Sequence, residues 1–282
     1  MDQKSVFVNG IEFNNDKPLA IIAGPCVIES REMIMQTAEE LVRITKKLGL
    51  GLIFKSSFEK ANRSSASSFT GPGIEEGLKI LAEVKEKFNI PVITDIHCPE
   101  HAEKASKVVD VLQIPAFLSR QSDLAAATAK TGKVVNVKKA QFTAPADMHI
   151  ILDKYNNDSA EETVMQCERG TCFGHNGLVV DFAGFKAMKA SGYPLIMDAT
   201  HAAQIPGGNG TTSGGKREVV ADLAKAAVAI GVAGVFLEIH PDVAVAKCDQ
   251  PNQFPLQQAE ELLTQLKQLD NLIKSQPALD IK

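Results

Sequence analysis

Short apolar runs rich in Val and Ile recur along the chain, each ending in polar or charged residues and each followed by a stretch with helical spacing. The runs cover residues 19–26, 51–58, 91–97, 111–117, 134–141, 164–170, 194–201 and 234–241, and their starts lie on average about 31 residues apart. Apolarity that is continuous rather than alternating suits strands buried on both faces of a parallel sheet. Eight strand–helix units of this size predict an α/β fold, the (β/α)8 barrel. A doubly wound sheet is the competing architecture. It would usually carry a Gly-rich turn after its first strand, whereas the first run here ends Ala23-Gly24-Pro25-Cys26, which is not a dinucleotide fingerprint.

The intervening segments have helical faces. Ile74, Leu78, Leu81, Val84 and Phe88 follow one another at spacings of four, three, three and four. Near the C-terminus Pro255 suits a first helical position, with Leu256, Ala259, Leu263, Leu266 and Ile273 behind it near helical period. Before the first run, Val6-Phe7-Val8-Asn9-Gly10-Ile11-Glu12-Phe13 alternates around Asn-Gly, so a β-hairpin is expected over residues 6–15. Residues 62–73 and 206–216 are small, polar and Gly-rich, as in binding loops and lids, or simply in surface connections.

The length of 282 residues is used up by the eight units, and no Pro/Ser-rich linker divides them, so residues 1–282 read as one domain. Hydrophobic residues at 44% and charged residues at 23% exclude a disordered or low-complexity chain. No apolar run reaches the ~18 residues of a membrane span, and the start Met1-Asp2-Gln3-Lys4-Ser5 lacks a signal peptide's apolar stretch. A cytoplasmic enzyme without a membrane partner is expected. The net charge of -4 gives no basic surplus for a nucleic-acid partner, although a local cluster of cations can still hold a small anion. Five scattered Cys with no CxxC pair argue against a disulfide framework or a zinc finger. With no Trp and two Tyr, an aromatic stacking platform is not expected.

In such a barrel the site lies at the C-terminal ends of the strands, so the residue types that end each run carry the functional signal. Lys55, Lys60, Arg63, Lys138 and Arg169 would converge on one rim. Any one of them alone reads as a solvated surface charge; together they suit phosphate and carboxylate groups, with Arg adding bidentate geometry. Cys26, His201, Glu238 and Asp249 sit at or after the first, seventh and eighth runs, which become neighbours when a barrel closes. Thiolate, imidazole and two carboxylates suit a borderline divalent ion of the Zn, Fe or Mn type. Taken singly, a Cys at a strand end is more often buried filler. The other four Cys have no comparable set of partners, and His97 with His101 reads as the join between a strand end and a helix start.

Several stretches carry a resemblance. Lys60-Ala61-Asn62-Arg63-Ser64-Ser65 is similar to the aldose-phosphate loop of the 3-deoxy-D-manno-octulosonate 8-phosphate synthases. Gly24-Pro25-Cys26, Phe54-Lys55-Ser56-Ser57-Phe58, Gln113-Ile114-Pro115-Ala116-Phe117-Leu118, Asn136-Val137-Lys138-Lys139, Asp198-Ala199-Thr200-His201 and Ser213-Gly214-Gly215 extend it over nearly the whole chain. The sister enzymes that extend erythrose 4-phosphate carry a Lys-Pro-Arg-Thr type of loop instead.

The resemblance implies a transferase that condenses phosphoenolpyruvate with arabinose 5-phosphate and water for lipopolysaccharide biosynthesis. By matching positions, Lys55, Lys60, Lys138 and Arg169 would hold phosphoenolpyruvate, with Gln113 and Ala116 in the same substrate-binding set. Asn62, Arg63 and Ser64 would hold the pentose phosphate, and Arg120 would reach it from a neighbouring subunit of a homotetramer. Lys138, His201 and Asp249 would be the catalytic groups. Cys26 stands where the metal-free branch of the family has Asn, so the resemblance implies the metal-dependent branch, with Cys26, His201, Glu238 and Asp249 as ligands. The alternatives are the erythrose 4-phosphate-dependent synthase and a non-catalytic phospho-sugar-binding barrel.

Overall fold

The computed structural model describes residues 2–62, 68–156, 161–173, 177–208, 213–277 and 279. Two short strands, β1 (Val6–Val8) and β2 (Ile11–Phe13), form the expected hairpin, turning at Asn9 and Gly10, both at positive φ. Its strands end at Phe13, two residues before the expected boundary. There Asn15 leaves the hairpin to cap another strand, accepting from the Leu195 amide at 2.9 Å and donating to the Tyr193 carbonyl.

Seven parallel strands follow: β3 (Ala20–Gly24), β4 (Gly51–Lys55), β5 (Val92–Asp95), β6 (Val111–Ile114), β7 (Val134–Lys138), β8 (Val164–Glu168) and β9 (Leu195–Asp198). After the small strands β10 (Gln204–Ile205) and β11 (Gly214–Gly215), β12 (Gly234–His240) pairs with β9 on one side and β3 on the other, closing an eight-stranded barrel. The helices are α1 (Arg31–Leu48), α2 (Ile74–Phe88), α3 (Pro99–Ser106), α4 (Ser122–Ala129), α5 (Met148–Leu152), α6 (Gly184–Ala190), α7 (Ala199–Ala202), α8 (Val220–Ile230) and α9 (Ala259–Lys274). The fold is the expected (β/α)8 barrel with an N-terminal hairpin.

The helices begin and end where local chemistry dictates. Ser30 caps α1 by accepting from the Met33 amide, and Gly49 ends it in the left-handed conformation. The start of α9 differs from the expectation. Pro255 lies in the short strand β13 (Phe254–Pro255) beside β12, and a 3-10 turn (Leu256–Gln258) precedes the helix. Proline lacks only the N–H, so it fits at a sheet edge as readily as at a helix start.

Period-2 alternation divides the core. Outward residues such as Ile21, Ala23 and Phe54 pack against the helices. Inward residues Ala20, Ile22, Ile53, Ile93, Val111, Ile196 and Phe236 pack with Val6, Val8 and Phe13, so the hairpin plugs the N-terminal mouth. The next inward position on each strand changes character: Lys55 follows Ile53, Asp95 follows Ile93, Gln113 follows Val111, Asp198 follows Ile196 and Glu238 follows Phe236. The barrel interior is thus apolar at one end and charged at the other. Gly24 lets β3 approach β4 at that charged end, because a Cβ there would collide with the Lys55 carbonyl.

Candidate active site

The charged end holds two adjoining groups of side chains. Cys26 follows β3, His201 lies in the short helix α7, Glu238 is in β12, and Asp249 sits in the loop after it, at a positive φ that Asp tolerates. Cys26 Sγ is 3.7 Å from Asp249 Oδ2, and His201 Nε2 is 3.5 Å from both Glu238 Oε1 and Asp249 Oδ2. The four donors proposed from sequence therefore lie side by side through Asp249: His201, Glu238 and Asp249 form one close group, and Cys26, up to 223 positions away in the chain, joins it at Asp249. The buried Glu238 Oε2 has no hydrogen-bond partner among the described residues. One thiol, one imidazole and two carboxylates around an unsatisfied oxygen fit a borderline divalent cation.

Cys248 was not foreseen. Sequence gives it no set of partners comparable to that of Cys26, yet its Sγ lies 2.7 Å from that of Cys26, and the two thiols and Asp249 form a second, overlapping cluster. Burial, then the hydrogen bond with Cys248, pushes the Cys26 thiol well above its ordinary pKa. The adjacency of Cys248 to Asp249 in sequence was the only available signal. The other cysteines remain outside these clusters, and His97 and His101 stack edge-on with Phe58 at the join of β5 and α3.

Beside the donors lies a cavity of about 280 Å³ lined by Lys60, Asn62, His97, Ala116, Lys138, Arg169 and His201. Lys60 is held among acids, 3.6 Å from Glu238 and 3.7 Å from Asp95. Burial alone would lower its pKa, but its electrostatic interactions with Cys26, Glu238 and Asp95 outweigh burial and raise it well above its ordinary value. Lys138 Nζ donates to Asp198 Oδ2 at 2.6 Å and lies 3.3 Å from His201 Nδ1. Burial is again opposed, chiefly by Asp198, and its pKa rises. The pKa of Arg169 is lowered by burial, and its buried Nη1 has no hydrogen-bond partner among the described residues.

Two residues from the expected substrate set lie beneath the lining rather than on it. Lys55 is fully buried, with Nζ 3.0 Å from Glu238 Oε1 and 3.4 Å from Asp95 Oδ2. Gln113 donates to Asp95 Oδ1 at 2.6 Å and accepts from Asn136. Asp95, not singled out as a site residue, is the hub of this floor. Burial would raise its pKa, but Lys55, Lys60 and Lys138 hold it well below the usual carboxylate range. Its position at the end of a run, on the inward register, was the signal for it. Arg120 is exposed and not on the lining, and Arg63 and Ser64 fall outside the described residues. Residues 206–216 are also only partly described. Their root is a ribbon, with Gln204 and Ile205 paired antiparallel to Gly215 and Gly214.

Among the described residues no helix is long and apolar enough to cross a membrane. The family model described as the DAHP synthetase I family matches residues 3–275. A Pseudomonas putida (strain GB-1) protein named 2-dehydro-3-deoxyphosphooctonate aldolase is 53% identical over 280 residues, covering 99% of each chain. Proteins of the same name from Shewanella amazonensis and Hahella chejuensis are each 50% identical over 280 residues, again covering 99% of each chain.

Proposed function

Because this chain belongs to the DAHP synthetase I family and is an enzyme that forms carbon–carbon bonds, we propose that it condenses phosphoenolpyruvate with D-arabinose 5-phosphate and water. The products are 3-deoxy-D-manno-octulosonate 8-phosphate, a lipopolysaccharide precursor, and inorganic phosphate. The observation that carries this reading is one cavity in which Lys60, Lys138 and Arg169 line the same wall as His201, itself grouped with Glu238 and Asp249.

In the reaction, C3 of phosphoenolpyruvate bonds to the aldehyde carbon while a water oxygen adds at C2. The C2–O bond to phosphorus then breaks, and phosphate leaves. Two anionic substrates repel each other, so fixed cations that hold them in line lower the barrier. Arg169 and Lys60 bind the phosphate and carboxylate of phosphoenolpyruvate, while Lys55 supports the site from below through Glu238 and Asp95. Asn62, Arg63 and Ser64 hold the pentose phosphate. Lys138, kept cationic by Asp198, faces the developing alkoxide and can protonate it, a gain balanced by the proton that the adding water loses. Cys26, His201, Glu238 and Asp249 would hold a divalent ion, which when bound supplies Lewis-acid stabilisation of an oxygen.

Offering phosphoenolpyruvate with either arabinose 5-phosphate or erythrose 4-phosphate, and measuring phosphate released, tests this reading. Release with the pentose alone is expected. Release only with the tetrose moves the chain to the aromatic-pathway reaction, and release with neither leaves a binding barrel.

The titration of the donors sets a pH dependence. His201 is lowered by burial but raised more by Asp198 and Glu238, so its pKa stands above the ordinary value; Cys26 is raised as well. A metal must displace protons from both, so affinity for Co²⁺ should tighten as pH rises through neutrality. Titrations of the metal-free protein at several pH values check this, and an affinity independent of pH would remove these two groups from the ligand set.

We assign a homotetramer in which Arg120 crosses to a neighbour's pentose-phosphate site, located in the cytoplasm. Support comes from Arg120 being exposed off the lining, with Phe117, Phe142 and Phe173 exposed at 56%, 47% and 67% after β6, β7 and β8. Arg120→Ala should raise the KM for the pentose phosphate about tenfold without changing that for phosphoenolpyruvate. A chain that sediments as a monomer with full activity would exclude the arrangement.

A further inference from the structure

Gln204 has a single carboxamide that contacts both halves of the site. Its oxygen accepts from Arg169 Nη2 at 3.1 Å, and its nitrogen donates to Asp249 Oδ1 at 3.1 Å. The side chain is about nine-tenths buried. Asp198, Asp249 and Glu168 act on the Arg169 guanidinium electrostatically, but the hydrogen bond that fixes its orientation goes to the neutral Gln204 amide. That choice matters chemically. A carboxylate in the same place would neutralise the charge an anionic substrate needs, whereas an amide fixes the fork and leaves its charge available. Unlike an ionised carboxylate, an amide can also donate to an acid on its other side.

The backbone of Gln204 is anchored too. It pairs with Gly215, and a Cβ on Gly215 would collide with the side chain of Asn252. The Asn252 backbone N–H in turn donates to the Asp249 carbonyl. The ribbon that carries Gln204 therefore leans on the same turn that presents Asp249. Side chain and backbone both tie the anion-binding arginine to the metal-side carboxylate.

We propose that Gln204 is a positioning residue that orients Arg169 toward phosphoenolpyruvate and Asp249 toward the divalent ion at the same time. This rests on the roles given to those two residues above. Hydrogen bonds to charged groups and outer partners of metal ligands each typically change affinity by about 10–100-fold when lost.

The test uses the full-length protein with Gln204→Leu, which keeps the volume and removes both bonds, and Gln204→Asn, which keeps the amide but shortens its reach. Co²⁺ affinity is followed through the visible absorption of the bound ion, and inorganic phosphate binding is measured on metal-free protein. The KM values for both substrates complete the set. Gln204→Leu should weaken Co²⁺ and phosphate by about 10–100-fold each and raise the KM for phosphoenolpyruvate, with that for the pentose phosphate within about twofold of wild type. Gln204→Asn should shift the same quantities in the same direction by less. Folded variants with wild-type cobalt and phosphate affinity overturn the inference. So does an equal rise in both KM values accompanied by a fall in thermal stability, which is the signature of a merely structural residue. A wild-type protein that takes up no Co²⁺ overturns the metal reading and the Asp249 half of the inference, while the phosphate measurement still decides the Arg169 half.

Discussion

Stripping divalent ions from the purified protein with a chelator should reduce phosphate release by at least about 10²-fold, and adding Mn²⁺, Fe²⁺ or Zn²⁺ should restore it. The reason lies in the donor geometry. Glu238 is fully buried, and Asp249 and His201 crowd its carboxylate at distances suited to a shared cation. Burial opposes the charged form of Glu238, yet His201, Lys55 and Lys60 hold its pKa below the ordinary value, so an anionic donor stands ready. Cys26→Asn should weaken Co²⁺ binding and abolish the absorption of a cobalt–thiolate bond, because it replaces an anionic sulfur with a neutral amide. Full turnover in protein shown to be metal-free would remove the metal from the reaction. Undiminished cobalt affinity in Cys26→Asn would remove Cys26 from the ligands and direct attention to Cys248, its neighbour at 2.7 Å.

Lys138→Met should lower kcat about 10²–10⁴-fold, the usual size of a lost acid–base or charge-stabilising group. Lys138 both lines the cavity and reaches Asp198 and the His201 ring, and its ammonium lies 4.1 Å from the centre of the Phe236 ring. Methionine retains the packing against Phe236 and removes the charge. Asp198 keeps His201 as a partner at 2.7 Å, so the loss of stability should stay below the ~3–5 kcal/mol of leaving a buried charge wholly unpaired. Steady-state kinetics together with a thermal melt separate the two effects. A kcat within twofold of wild type would reduce Lys138 to a packing role.

Much of the architecture was legible because its causes are local. Apolar runs, each followed by a helical stretch, mark eight strands, and Asn9-Gly10 marks the hairpin. Even the change from apolar to charged lining is written in the i, i+2 register, as with Ile53 and Lys55 or Phe236 and Glu238. Pro255 was misplaced because a residue defined by a missing N–H suits two environments equally, and only pairing with β12 distinguishes them.

The site was legible in its residue types and less so in its relations. The sequence by itself determined that cations, a thiol, an imidazole and carboxylates end successive strands, and a barrel must bring strand ends to one rim. Only the tertiary structure decided that Lys55 lies under the cavity rather than in it, that Asp95 binds the floor together, that Cys248 meets Cys26 across 222 positions, and that Gln204 joins Arg169 to Asp249. Strand direction and alternation are properties of neighbouring residues. The depth of a side chain below the rim and the partner it meets depend on barrel closure and on where each loop returns, and those are set by contacts between segments far apart in the chain.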